Sequence, residues 1–167
     1  VERVADHMPV RPAHLPRQRM WKVRAGQTVL AQGAHERPLV FSGNDLPGVM
    51  LSGAVRSYIT RYGVVPGNRT VVFTNNDDAY RTALALHGAG AHVVLVDLRR
   101  DLKGELVKAV RAADIEVMSG SAVTIAAGTQ RIARVEISPV NEGATQVLDD
   151  PIHMDCDLLA ISGGLNP

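Results

Sequence analysis

Hydrophobic and polar positions change rhythm near residue 69 of this chain. Downstream, short apolar runs, "TVVF" (70–73), "HVVLVD" (92–97) and "IEVM" (115–118), have the near-continuous character of strands buried on both faces. Between them, 79–87 and 101–113 carry apolar residues at helical spacing, with Leu102, Leu106, Val107 and Val110 on one side of the second stretch. Strand, helix, strand, helix, strand predicts a parallel sheet, with helices expected on both faces. Then "AVTIA" (122–126), "RIARVEI" (131–137) and "TQVL" (145–148) alternate like an antiparallel meander, and "CDLLAIS" (156–162) reads as one more buried strand. Upstream, Pro9, Pro12 and Pro16 predict an extended connector. "MWKV" (20–23) and "TVLA" (28–31) predict a small hairpin turning at Ala25 and Gly26. Ala54, Val55, Tyr58, Ile59 and Tyr62 predict a helix over 52–62 that stops at Gly63.

The predicted fold class is therefore α/β: a Rossmann-like three-layer βαβαβ arrangement with an antiparallel β-meander. The length of 167 residues suits one such core. A net charge of +1 gives no basic face for nucleic acid. No apolar run reaches the roughly 20 residues of a membrane span, so the expectation is a soluble, cytoplasmic protein without membrane contact. Cys156 is the single cysteine. It excludes a dithiol pair, and Asp155 and Asp157 beside it disfavour a thiolate, which makes it structural. The six histidines show no metal-ligand spacing, and no metal is expected.

Ligands of open parallel sheets bind beyond the carboxyl ends of the strands, here near Thr74, Asp97 and Ser119. In the frame of a G-x-G-x-x-G/A phosphate turn, the sequence reads T-N-N-D-D-A. Thr74, Asn76 and Ala79 hold the glycine positions, and only Ala79 is an accepted substitute. The turn formed by Thr74, Asn75, Asn76 and Asp77, followed by Tyr80, either holds a dinucleotide in modified form or merely caps a helix. Asn76→Gly should be tolerated there, because glycine accepts turn geometry. Asp97 stands where an acidic side chain accepts the adenosine ribose hydroxyls, which points to NAD. Arg99 and Arg100 point instead to a 2′-phosphate, or the stretch is a solvated charge cluster.

The segment 30–41, with Ala31, Gly33 and Ala34, resembles the crossover between the two nucleotide domains of flavoproteins. "LLAISGGLNP" (158–167) resembles the return crossover, with Gly163 and Gly164 beside a flavin. "RQRMWKVRA", "GAHERPLVF", "DLPGVMLSGAVRSYITRYGVVPG", "VVFTNNDDAYRTALAL" and "SGGLNP" together resemble the alpha subunit of heterotetrameric sarcosine oxidase over essentially the whole chain.

The resemblance implies a fragment with the fold of two-dinucleotide-binding-domain flavoproteins. It implies a connector and hairpin at 1–30 from a preceding FAD-domain segment, a crossover and helix at 31–62, an NAD-binding domain at 63–160, and the start of a return to the FAD domain at 161–167. It further implies NAD bound directly, FAD bound with a flanking domain, and the other subunits of a hetero-oligomeric oxidase as partners. The whole complex would demethylate sarcosine oxidatively to glycine, with formaldehyde or methylene-tetrahydrofolate and hydrogen peroxide as the other products. No catalytic residue is assigned to this stretch. Alternatives are a domain of an NAD(P)H-dependent flavin reductase, an opine oxidase-type subunit, or a cofactor-free interaction scaffold.

Overall fold

A computed structural model describes all residues, Val1–Pro167. The chain divides into two compact units, Val1–Gln32 and Gly33–Pro167. In the first, β1 (Glu2–Arg3) pairs antiparallel with β2 (Gln18–Arg19). Asp6 accepts from Arg17 and Gln18, and Trp21 donates its indole N–H to Glu2 at 2.9 Å. The hairpin expected over 20–31 does not form. No strand lies there, and Met20, Trp21, Val23, Val29 and Leu30 are exposed. Ala5 is the one buried hydrophobic residue of this unit, too little to reward ordering a second ladder.

The second unit contains, in chain order, β3 (His35–Glu36), β4 (Val49–Leu51), α1 (Ser52–Tyr62), β5 (Arg69–Thr74), α2 (Asp78–Gly88), β6 (His92–Asp97), α3 (Glu105–Ala112), β7 (Glu116–Ser119), β8 (Ser121–Ala127), β9 (Arg134–Pro139), β10 (Ile152–Asp155), β11 (Leu158–Ser162) and β12 (Leu165–Asn166). Its centre is a parallel five-stranded sheet of order β4-β11-β5-β6-β7. Two strands, β4 and β11, thus join the three predicted from the repeating pattern.

Period-two alternation divides the sheet's side chains between two cores. Val72, Leu95, Leu158 and Ala160 face Val55 of α1, Tyr80, Ala83 and Leu86 of α2, and Val107 and Val110 of α3. Val71, Phe73, Val96, Leu159 and Ile161 face Ala122, Val123, Val135 and Ile137 of the antiparallel sheet β10-β9-β8. The layers are helices, parallel sheet, antiparallel sheet. The second face is therefore covered by the meander rather than by helices. Each fully buried leucine or isoleucine contributes about 1.5–3 kcal/mol.

Three further differences from the pattern have local causes. Helix α3 begins at Glu105 rather than near 101, because Gly104 at φ 118° cannot continue a right-handed helix, while Leu102 stays buried ahead of it. The third meander strand is Ile152–Asp155. The 145–148 stretch gives only a Val140–Val147 bridge, because the Asn141 side chain accepts the Thr145 amide at 2.9 Å and turns the chain back. Along α1 the inward face is Ser52, Val55 and Ile59, whereas Ala54, Tyr58 and Tyr62 face solvent. No helix is long and apolar enough to cross a membrane.

Candidate dinucleotide site

Register sets the site. Ser162 of β11 lies opposite Thr74 of β5, Thr74 opposite Asp97 of β6, and Asp97 opposite Ser119 of β7. Four apolar strands thus end together in a polar row at the carboxyl edge of the sheet. The turn 75–77 leaves this row and leads into α2, whose first residues face the same edge.

The turn is held by side chains where a glycine-rich turn relies on bare backbone. Thr74 Oγ1 donates to the Asn76 carbonyl and accepts the Asn76 amide, both at 3.0 Å. Asn76 Oδ1 accepts the Asp78 amide at 3.1 Å and so caps α2, while Asn76 Nδ2 donates to Oγ and the carbonyl of Ser162 at 3.1 and 3.2 Å. A hydroxyl and an amide thus tie the turn to the end of β11. The cost of a β-branched residue at Thr74 is offset by two hydrogen bonds of its own.

Asp97 is completely buried, and four donors converge on it. Oδ1 accepts from the Arg99 amide at 2.9 Å and from Arg99 Nε at 3.1 Å; Oδ2 accepts from the Tyr80 hydroxyl at 2.9 Å and from Arg99 Nη2 at 2.8 Å. Arg99 Nη1 reaches across to Asp77 Oδ1 at 2.8 Å. Asp97 therefore sits at the expected place with both oxygens engaged inward. The surface it would offer to a ribose is presented instead by the Arg99 guanidinium, about one-third exposed. Hydrogen bonding to Asp97 holds Arg99 firmly protonated, against burial that acts the other way. Burial first, and Asp97 second, raise the Tyr80 phenol above its ordinary range.

The two carboxylates that would repel a phosphate are both paired. Asp77 meets Arg99, and Asp78 meets Arg56 Nη2 at 3.0 Å. Arg100 turns away and donates to the carbonyl of Val140.

The two segments expected to be crossovers lie side by side. Strands β3 and β12 pair antiparallel, Glu36 opposite Leu165 and His35 opposite Asn166, and the Gly163 amide donates to the Arg37 carbonyl at 2.7 Å. A Cβ on Gly163 would lie 2.9 Å from the Arg37 oxygen, so this chain's own backbone already requires glycine there. Gly33 has φ 75°, and a Cβ there would meet nothing within 4 Å; with Ala34 it is exposed just ahead of β3, and Gly164 follows Gly163 at φ 95°.

Thr74, Asn75, Asn76, Asp77, Tyr80, Asp97 and Arg99 thus form one cluster, while Gly33, Ala34, Gly163 and Gly164 lie apart from it, at or beside the β3–β12 pair. Ser162, which joins the two groups, escapes sequence reading because it lies 86 residues from its partner Asn76. Glu36 also escapes it; its carboxylate accepts the Gly53 amide at 2.7 Å, at the start of α1. Surface hollows of about 490 and 460 Å³ lie elsewhere, one lined by Ala127, Gly128, Arg134 and Asp155, the other by His87, His92, Asp114 and Glu116. Cys156 is buried, and burial with Asp157 pushes its thiol up to about 12, leaving it protonated at neutral pH.

No family model matches the chain. Two curated relatives are the sarcosine oxidase alpha subunits of Corynebacterium sp. (strain P-1), 41% identical over 93% of this chain, and of Rhizobium meliloti (strain 1021), 41% identical over 100% of it. The chain spans 16% of the length of each. Among solved structures, thioredoxin reductase from Giardia duodenalis superposes with a TM-score of 0.65 at 22% identity, covering 81% of this chain and 42% of that one. That likeness concerns the fold, since a single cysteine provides no dithiol. The chain is thus related in sequence, over nearly its whole length, to one segment of the sarcosine oxidase alpha subunits, and it has the dinucleotide-domain fold of thioredoxin reductase.

Proposed function

We propose that the span from β4 to β11 (49–162) forms the NAD-binding domain of a sarcosine oxidase-like alpha subunit, wider than the 63–160 expected because β4 and α1 belong to its sheet and core, with the segments on either side carrying the chain from and back to an FAD domain. The observation that carries this reading is the register of the polar row. It sets the turn after β5 beside Asp97 at the end of β6, where parallel sheets take dinucleotides.

The residues present fit such a ligand. Helix α2 points its amino end at this edge, the negative charges of Asp77 and Asp78 are compensated, and donors remain on the Asn75 side-chain amide and on the Arg99 guanidinium beyond its three hydrogen bonds, while the Asn76 side-chain amide is taken by Ser162 and Asn75. Asn75 would hold the pyrophosphate side from a turn that Asn76 fixes, and Arg99, oriented by Asp97 and Tyr80, the adenosine ribose side. A nicotinamide dinucleotide can carry a hydride, but on this reading it is bound here without rapid transfer to a flavin. This chain's own residues bind and orient; none of them is given a bond-making role.

The parent complex, on this reading, oxidises sarcosine or a related secondary amine together with other subunits. Calorimetric titration of the intact subunit with NAD should give saturable binding, and NADH should not reduce the flavin rapidly. Rapid reduction would establish a flavin reductase instead. No binding of either nucleotide would leave an interaction scaffold.

A further inference from the structure

We infer that Asp77 sets the coenzyme preference of this edge by sequestering Arg99. The inference rests on the reading of the site as one for a dinucleotide, and it names the residue that selects between NAD and NADP.

Arg99 is the cation of the network, and three of its N–H groups are committed: Nε and Nη2 to Asp97, Nη1 to Asp77. The Asp97 contacts are anchored in the core, because that carboxylate is fully buried and also bound by Tyr80 and by the Arg99 amide. The Asp77 contact is different. Asp77 is half exposed, lies on the other side of the turn, and serves no second side chain. It pins the remaining arm of the guanidinium and leaves two carboxylates against one positive charge.

NADP differs from NAD by a phosphate on the adenosine ribose, which arrives beyond the end of the second strand, here β6. Such a group carries roughly 1.5–2 negative charges near neutral pH. It would meet a network with net charge of one negative, and an arginine whose outward arm is taken. No other arginine replaces it, because Arg100 is bound to the Val140 carbonyl and Arg56 to Asp78. NAD brings neutral hydroxyls to the same place and meets no such repulsion. Replacing the Asp77 carboxylate by a neutral amide makes the network neutral and leaves Nη1 facing at most an uncharged acceptor, which the phosphate oxygens displace because charge-assisted bonds to arginine are the stronger ones.

The test is calorimetric titration of the intact subunit with NAD and with NADP, in the wild type, Asp77→Asn and Asp77→Asn/Arg99→Met, with thermal melting to show that each is folded. The wild type should prefer NAD. Asp77→Asn should shift the affinity ratio toward NADP on the order of tenfold, the scale of one charge acting over several ångströms near a protein surface. The double variant should lose that shift, because the gain depends on Arg99. A wild type that binds NAD, with a ratio unchanged in Asp77→Asn, overturns the role of Asp77 while leaving the NAD site intact. A shift that persists in the double variant overturns Arg99 as its agent. A wild type that binds neither nucleotide removes the site itself, and this inference with it.

Discussion

At Tyr80 a phenol stands on the boundary between the helix-side core and the polar edge of the sheet, its ring among apolar side chains and its hydroxyl on Asp97. Tyr80→Phe keeps the ring and removes one donor from a buried carboxylate. We expect a loss of about 1–3 kcal/mol in denaturant unfolding. The same variant has a pH signature. The folded protein holds the Tyr80 proton more tightly than the unfolded chain does, so its contribution is complete below about pH 10 and falls as the pH rises beyond that. Tyr80→Phe should unfold with a shallower alkaline decline than the wild type, and equal slopes would contradict the assignment. Asn76 reverses an expectation from sequence. Glycine suits the turn's geometry, but Asn76→Gly forfeits the Asp78 cap and the Ser162 tie, so we expect destabilisation by about 1–2 kcal/mol rather than tolerance. A melting temperature equal to that of the wild type would show that the tie is dispensable.

Among elements, legibility follows how much local chemistry decides. Helix α1 is readable to the residue, because Gly63 ends it in left-handed geometry and returns its amide to the Ile59 carbonyl. Strand β6 is equally plain, since "HVVLVD" is buried along nearly its whole length. Strand β10 escapes the pattern because Ile152–Asp155 is largely exposed and owes its form to pairing with β9. At the site, Thr74 and Asp97 are legible as strand ends, but the four donors on Asp97 are not, because Tyr80 reaches it from a different element. At the end of α3, Asp114 takes φ 56°, which an aspartate tolerates less well than glycine does. Asp114→Gly should be neutral or stabilising by up to about 1 kcal/mol in chemical denaturation, and a marked loss would mean that its carboxylate has a partner in solution.

For the molecule as a whole, the two units differ in what holds them. Val1–Gln32 relies on a two-residue ladder and exposed ion pairs, which are worth little in water. Gly33–Pro167 has two buried cores on either side of one sheet. Brief trypsin digestion should therefore cut first after Lys22 or Arg24, both exposed and outside any strand, as mass spectrometry of the earliest fragments can verify. First cuts within β5, β6 or β11 would contradict this ordering of stability.

Strands β3 and β12 carry a further consequence. Because they lie side by side, the polypeptide comes into the second unit and leaves it through one doorway, with His35 facing Asn166. The gap that a host chain would have to bridge if this unit were set into one of its loops is only the spacing of paired strands, about 5 Å. A unit with such a narrow neck can be grafted, exchanged or lost while the two banks of the host loop stay where they are.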